Sequence, residues 1–489
     1  MQVHWHRRDL RTADNRALAA AAGVDSDDGR PEDGPSDGGD AEEPVAPVFV
    51  LDDAVLEHGS PPRVRFLLDA LAALRERYRE RGSDLLVRRG APREELPALA
   101  GERDVDRVVW NRDYSGLARA RDADVRAALD AVGVPATSFH DRLHHEPGSI
   151  TTGDGEHYSV YSYFWKKWRD REKATPLPEP PAGALADVNG DPLPTLADLG
   201  VDEPEAEVPD AGPDPARDRL EAFCDGPIYR YEADREYPAR DGTSRLSPHL
   251  KWGTVGVRAV YAATGDALAD ADEDAAESVE AFRSQLAWRE FYAHVLRYNP
   301  DTVTANFREY ERPIEWRDDP EGLQAWKDGE TGYPIVDAGM RQLRAEAWMH
   351  NRVRMIVASF LTKDLLVDWR AGYDWFREKL VDHDTANDVG GWQWAASTGT
   401  DAQPYFRIFN PVTQGERYDP DAEYVAEYVP ELRGVDPAVV HGWTELSPAE
   451  RDRVAPDYPA PVVDHAERRE AALATFRRAR GEDGEGDAA

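Results

Sequence analysis

Two carboxylates two residues apart, Asp382 and Asp384, open the most chemically loaded stretch of the chain, LVDHDTANDVGGWQW at 380–394. Asn387, Asp388, the glycines Gly390 and Gly391 and the tryptophans Trp392 and Trp394 follow within ten residues. Just upstream, WMHNRVRM at 348–355 carries Arg352 and Arg354 on what reads as a helix. No catalytic Ser or Cys arrangement and no metal-type His cluster accompanies them. Acid, amide, guanidinium and indole groups gathered in one stretch suit a planar cofactor with polar edges.

Composition bounds what such a site serves. The chain has 489 residues, enough for two or three domains with ample cores. A single cysteine, Cys224, excludes an intrachain disulfide, a CxxC zinc site and a cysteine-held iron–sulfur cluster. The start, MQVHWHRRDL, is too charged for a signal peptide, and no run of about 18 apolar residues exists to span a membrane. A cytoplasmic protein is expected. The net charge is −36, and only seven of the 59 basic residues are Lys. That diffuse acid excess suits a surface kept hydrated in a high-salt cytoplasm, where salt screens the self-repulsion. Taken alone, the charge argues against a nucleic-acid partner, since DNA binding rests on neutralising phosphates.

Residues 1–139 alternate strand-type runs (3–5, 48–51, 85–87, 107–110, 136–139) with helical ones (63–79, 118–131). This rhythm predicts an α/β domain with a doubly wound parallel sheet. No GxGxxG follows the first strand, so a ligand here belongs at the carboxyl ends of the strands, near the switch point. Residues 24–45 read as a solvated acidic insertion. Residues 140–213, Pro- and acid-rich around a short aromatic helix at 158–171, read as an interdomain linker. From 214 to 480 the periodicity is helical (279–296, 339–360, 373–381, 462–478), which predicts a large all-α domain. A disordered tail is expected over 481–489.

HWHRRDLR (4–11), TSRLSPHL (243–250), LAWREFY (286–292), WMHNRVRM, DHDTANDVGGWQWAASTGTD and YFRIFNP (405–411) stand in the order found in the photolyase/cryptochrome family, which the chain resembles over nearly its whole length. The resemblance implies FAD, active in its reduced form, folded in the helical domain. Tyr231 and the run Thr243, Ser244, Arg245, Leu246, Ser247 would hold its phosphate end, though a Ser or Thr before a helix is also a common N-cap. Arg354 and Asp382 match the ion pair flanking the flavin, with Asp384 on the ring edge; from the residues alone, a salt bridge between helices is equally good. Gln285, Arg289, Trp348, Asn351, His383 and Asp388 complete the implied cofactor shell. Trp392, Trp369 and Trp316 match the chain of tryptophans that passes electrons to the flavin, although buried Trp is usually core. Trp288 and Trp394 match an aromatic pair that wedges a flipped-out dimer.

UV-damaged DNA is the implied partner. Arg235, Arg352 and Arg407 are its expected contacts, with Asn410 and Gln414 nearby, and residues 333–414 hold few acids per Arg. Asn351 and Met355 match enzymes for cyclobutane pyrimidine dimers; relatives acting on (6-4) photoproducts carry His at both positions. Gln285 stands where dimer enzymes carry Glu, and Asp388 where they carry Asn facing flavin N5. Plant-type cryptochromes also carry Asp there. Arg63, Asp113 and Lys251 match a second, antenna chromophore site in the α/β domain, for a deazaflavin or otherwise a folate; a solvated surface charge is the plain alternative for Lys251. Light-driven dimer repair with Gln285, Asn351 and Met355 at the lesion is the expected activity, by a monomer with no protein partner and no metal. A signalling cryptochrome is the first rival, favoured by Asp388 but not by the short tail after Arg480. A plain flavin oxidoreductase, the second, lacks a nicotinamide fingerprint.

Overall fold

The computed structural model describes residues 1–24 and 43–482. The acidic insertion and the terminal tail fall largely outside them. Five strands, β1 (Gln2–His6), β2 (Val45–Leu51), β3 (Leu86–Arg89), β4 (Arg107–Asn111) and β5 (Ala136–Phe139), form one parallel sheet in the order β3-β2-β1-β4-β5. Central β1 pairs with both β2 and β4, with Gln2 opposite Val45 on one side and Arg107 on the other. The chain moves outward from β1 to β3 and then returns to β4, so β1 and β4 flank the switch point. Helices cover both faces, which is why β1 and β2 are buried at every position instead of alternating. Separate apolar cores fill the two faces, one around Phe66, Leu71 and Tyr78, the other around Trp5, Trp110 and Leu129.

Helices and 3-10 turns make up the rest. The longest helix, Glu273–Tyr298, starts where the Asp272 side chain accepts from the Ala275 N–H. It packs on Thr385–Ala396, which also meets Asn351–Ser359. The single helix expected over 339–360 is two. Pro334–Glu346 stops at Ala347, which takes a left-handed φ of 51°, and Asn351–Ser359 restarts after His350, whose ring accepts from the Arg352 N–H. The apolar periodicity runs on through this break, so the sequence hid it. In the gap, the Trp348 indole donates to Ser247 at 3.2 Å and lies under the Arg245 guanidinium.

The two domains are clamped by buried charge. Arg258 of the helical domain pairs with Asp14 at 2.6 Å and with Asp141 at 2.5 Å, and Arg11 takes the other Asp141 oxygen at 2.5 Å. Because each carboxylate has a guanidinium, the cost of burying these charges is met locally.

Candidate active site

Between the carboxyl ends of β1, β2 and β4 and the helical domain lies a cavity of about 420 Å³. The switch point therefore is a ligand-sized hole. Arg63, Asp113 and Lys251, far apart in sequence, all line it, as do Arg289, His383 and Asp384. Eight cationic side chains face three carboxylates on its walls. On a chain of net charge −36 this is a strong local reversal. Burial, then Arg8, pushes the Lys251 ammonium well below the usual lysine range. Burial, then Arg142, brings the Arg289 guanidinium down to about 9. Cations crowded and desolvated in this way favour an anionic occupant.

Asp384 was expected at the flavin ring edge, but its carboxylate points into this network. One oxygen accepts from Arg8 and Arg142 at 2.7 Å each, both from the α/β half. Burial opposes its charge, yet Arg142 and Arg8 hold it well below the usual carboxylate range. Its other oxygen caps the helix Thr385–Ala396. Asp113 is shared by the same two arginines. Arg63 donates to the carbonyls of Leu380 and Arg377, so it braces the loop before Asp382.

Arg354 and Asp382 do meet, at 2.8 Å, with Asp388 4.0 Å from the same guanidinium. Asp382 Oδ1 is buried with no hydrogen-bond partner among the described residues. A buried, unsatisfied carboxylate oxygen is costly and calls for a donor from a bound group. A flavin ring N–H supplies such a donor, so these residues fit FAD. Asp388 also accepts from the Asp384 N–H at 3.0 Å and approaches His383 Nδ1 at 2.5 Å, while His383 borders the interdomain cavity. At the expected phosphate end, Thr243 and Ser244 are half-buried, Ser247 is exposed, and Arg245 holds a left-handed φ of 48°. Arg245 is kept there by Glu346 at 3.2 Å and by the Trp348 ring. Tyr231 is buried against Phe223 and Phe282.

On the opposite side of these helices, Trp288 is half-buried and lies flat on Tyr161, ring centres 3.7 Å apart. Trp394 is half-buried beside Phe409. Gln285 is tied back to Ala281 and Ser284, and the exposed Asn351 rests on Met355. Trp392 and Trp369 are buried in one core, against which the half-buried Trp316 packs. Gly372 makes this possible, since a Cβ there would lie 2.1 Å from the Trp392 ring. Arg235 and Arg352 both reach Glu236, while Arg407 is exposed. Asn410 caps the helix Pro411–Tyr418, which carries Gln414.

Sequence reasoning missed Arg8, Arg142, Tyr161 and Glu236, which act through partners distant in the chain. It also missed His4, His6 and Asp9, whose ligand-type atoms gather within 4.8 Å. That cluster is internally engaged: His6 meets the Tyr78 hydroxyl at 2.6 Å, and Asp9 accepts from Asn111 at 2.6 Å.

An α/β domain with a cavity at its switch point, joined to a helical domain with a buried acid–Arg pair that fits a flavin, defines a flavoprotein class. Residues 2–182 match the family profile described as DNA photolyase, and residues 282–478 match the FAD binding domain of DNA photolyase. The deoxyribodipyrimidine photo-lyase of Halobacterium salinarum is 66% identical over 99% of this chain and 100% of its own. A bacterial class III photolyase from Agrobacterium tumefaciens superposes with a TM-score of 0.86 at 36% identity, covering 98% of this chain and 97% of that one. An archaeal photolyase from Sulfolobus tokodaii, solved with two FAD molecules, gives 0.78 at 28% identity over 97% and 99%. The chain belongs to the DNA photolyase family.

Proposed function

We propose that this protein is a deoxyribodipyrimidine photo-lyase that repairs cyclobutane pyrimidine dimers. The unsatisfied Asp382 oxygen beside Arg354 is the observation that carries it, because a flavin ring N–H would satisfy it inside a helical domain of this family. FAD, when bound in reduced form, would supply a light-driven electron that opens the dimer and is then recovered, so the reaction has no net oxidation. Asp382 would accept from the ring, and Arg354 would balance its charge. Trp288, immobilised by Tyr161, and Trp394 give the flipped dimer two aromatic walls; stacking of this kind is worth about 1–3 kcal/mol per base. Gln285 and Asn351 offer amide donors toward the lesion, and Met355 fills the wall beneath Asn351. Neither Asn351 nor Met355 can donate a proton as a His would, which argues for cyclobutane dimers over (6-4) photoproducts. Trp316, Trp369 and Trp392 are read as the path that re-reduces the flavin from the surface.

The interdomain cavity is read as the seat of a second, light-harvesting chromophore. Its cationic wall favours a ligand that is anionic at neutral pH, which suits an 8-hydroxydeazaflavin, and the motifs around Arg7, Arg8 and Lys251 resemble those of relatives that use a deazaflavin instead of a folate. The prediction is that Lys251→Ala lowers antenna occupancy at least tenfold, as losing one desolvated cation that faces an anion costs more than about 1.4 kcal/mol. Reconstitution with each chromophore, followed by absorbance of the gel-filtered protein, checks it. Unchanged occupancy would remove Lys251 from the site.

The function itself is tested by illuminating the purified reduced protein with a dimer-bearing oligonucleotide and counting restored thymines. Light-dependent restoration is the expected result. Flavin photochemistry without restoration would instead favour a photoreceptor, the reading that Asp388 keeps open.

A further inference from the structure

We propose that Glu236 is an internal stand-in for a DNA phosphate: it occupies the two arginines that grip the backbone, and DNA must displace it to bind. This rests on the reading of Arg235 and Arg352 as phosphate contacts. Glu236 directly follows Arg235 in the chain, and its two oxygens face different cations. One is paired with the Arg352 guanidinium, and the other lies 3.5 Å from Arg235 Nε. The side chains are 27%, 15% and 32% exposed for Glu236, Arg352 and Arg235, so the group sits at the surface where a phosphate can compete.

The arginines do not depend on Glu236 for their places. Arg352 lies over the Tyr418 ring at 4.4 Å and Arg235 over the Tyr231 ring at 5.7 Å. Aromatic faces hold a guanidinium while leaving its N–H edge free for a new acceptor. Removing the carboxylate charge therefore exposes two positioned cations instead of releasing two floppy ones. Arg407, the third expected contact, is exposed and pairs with no acid among the described residues. Glu236 thus taxes the backbone-binding term, which is common to damaged and undamaged DNA, and leaves the Trp288 and Trp394 walls untouched.

Salt dependence follows from the same exchange. Each phosphate neutralised releases counterions worth a slope of about −0.9 in log K against log salt. When DNA displaces Glu236, the freed carboxylate gathers a cation and cancels part of that release. The wild-type slope is therefore shallower than its phosphate contacts alone would give.

The test uses the FAD-bound protein in the dark with dimer-bearing and undamaged duplexes over a potassium chloride series. Glu236→Gln keeps size and hydrogen bonding but removes charge, and flavin absorbance verifies its fold. It should bind both duplexes about three- to tenfold tighter at low salt, with a slope steeper by up to about 0.9. Glu236→Asp, charged but shorter, should fall between and carries the test alone if the Gln variant does not fold. Weaker or unchanged binding by the Glu236 variants, with Arg352→Ala still losing affinity, overturns the stand-in and makes Glu236 a strut. Wild-type binding by both Arg352→Ala and Arg407→Ala overturns the phosphate-contact reading itself.

Discussion

Asp382→Asn is expected to leave a folded protein that is purified largely without FAD. The Asp382 side chain is 3% exposed, and Arg354, at 19%, is its partner. Asn keeps the volume but offers one acceptor where the carboxylate offers two, and it carries no charge. Arg354 then keeps the Met349 carbonyl at 2.8 Å, but its nearest carboxylate is Asp388, 4.0 Å away and beyond a hydrogen bond. Breaking a buried ion pair from one side costs about 3–5 kcal/mol, so if the flavin completes this pair its affinity should fall at least a hundredfold. The measurement is the FAD-to-protein ratio after gel filtration, with titration of FAD into the stripped protein. The same variant resolves the ambiguity that the residues alone carry. A mere brace between helices would lower the melting temperature of the flavin-free protein and leave FAD affinity unchanged. A flavin seat lowers FAD affinity as well, because Asp382 Oδ1 has no partner among the described residues and waits for the ring.

What was legible in the sequence follows the range of the interactions involved. The β2 and β4 strands could be read because burial on both faces demands apolar runs, whereas β1 alternates buried Gln2, His4 and His6 with Val3 and Trp5; the strand order then sets the switch point. The grouping of Arg63, Asp113 and Lys251 came through the family motifs; no local pattern joins positions so far apart, yet all three line one cavity. The break at Ala347 was not legible, because Trp348 and Met349 continue the apolar rhythm while turning toward Ser247 and the core. Asp384 shows the limit most clearly. Its place at the start of a helix is a local property, visible as the acid before TANDV, but its two arginines come from the other domain. Charge along the chain likewise predicted a locally basic stretch at 333–414 and could not show that Glu236, from outside it, pairs with Arg352.

Acidification should destabilise this protein before its ordinary surface carboxylates titrate. His4, His249, His294 and His350 are each no more than 2% exposed, and burial holds them neutral, at about 4, 4, 3 and 3 against an ordinary 6.5. A base whose folded pKa is depressed is stabilising above its unfolded value. That stability is lost as pH falls below 6.5, where the unfolded chain takes protons that the folded one refuses. At pH 5 each such histidine has lost about 1.5 pH units of linkage, or about 2 kcal/mol, and the four together about 8 kcal/mol. Glu290 works in the opposite direction. Burial raises it to about 7, so the folded state binds its proton first and gains about 3 kcal/mol by pH 5. Asp337, raised by burial to about 6, adds about 1 kcal/mol on the same side by pH 5; the net loss of about 4 kcal/mol approaches the whole stability of an ordinary domain. Asp113 and Asp384, held low by Arg142 and Arg8, contribute nothing in this window because both their folded and unfolded forms stay ionised above about pH 5. Urea unfolding from pH 7.5 to 5, at fixed high salt to screen the −36 charge, should show the midpoint falling steeply below pH 6.5. A midpoint that stays level down to pH 5 would mean that water reaches these histidines in the folded protein. Replacing His249 with Gln, which can still face Thr254, should remove about a quarter of the histidine loss and so identify the groups responsible.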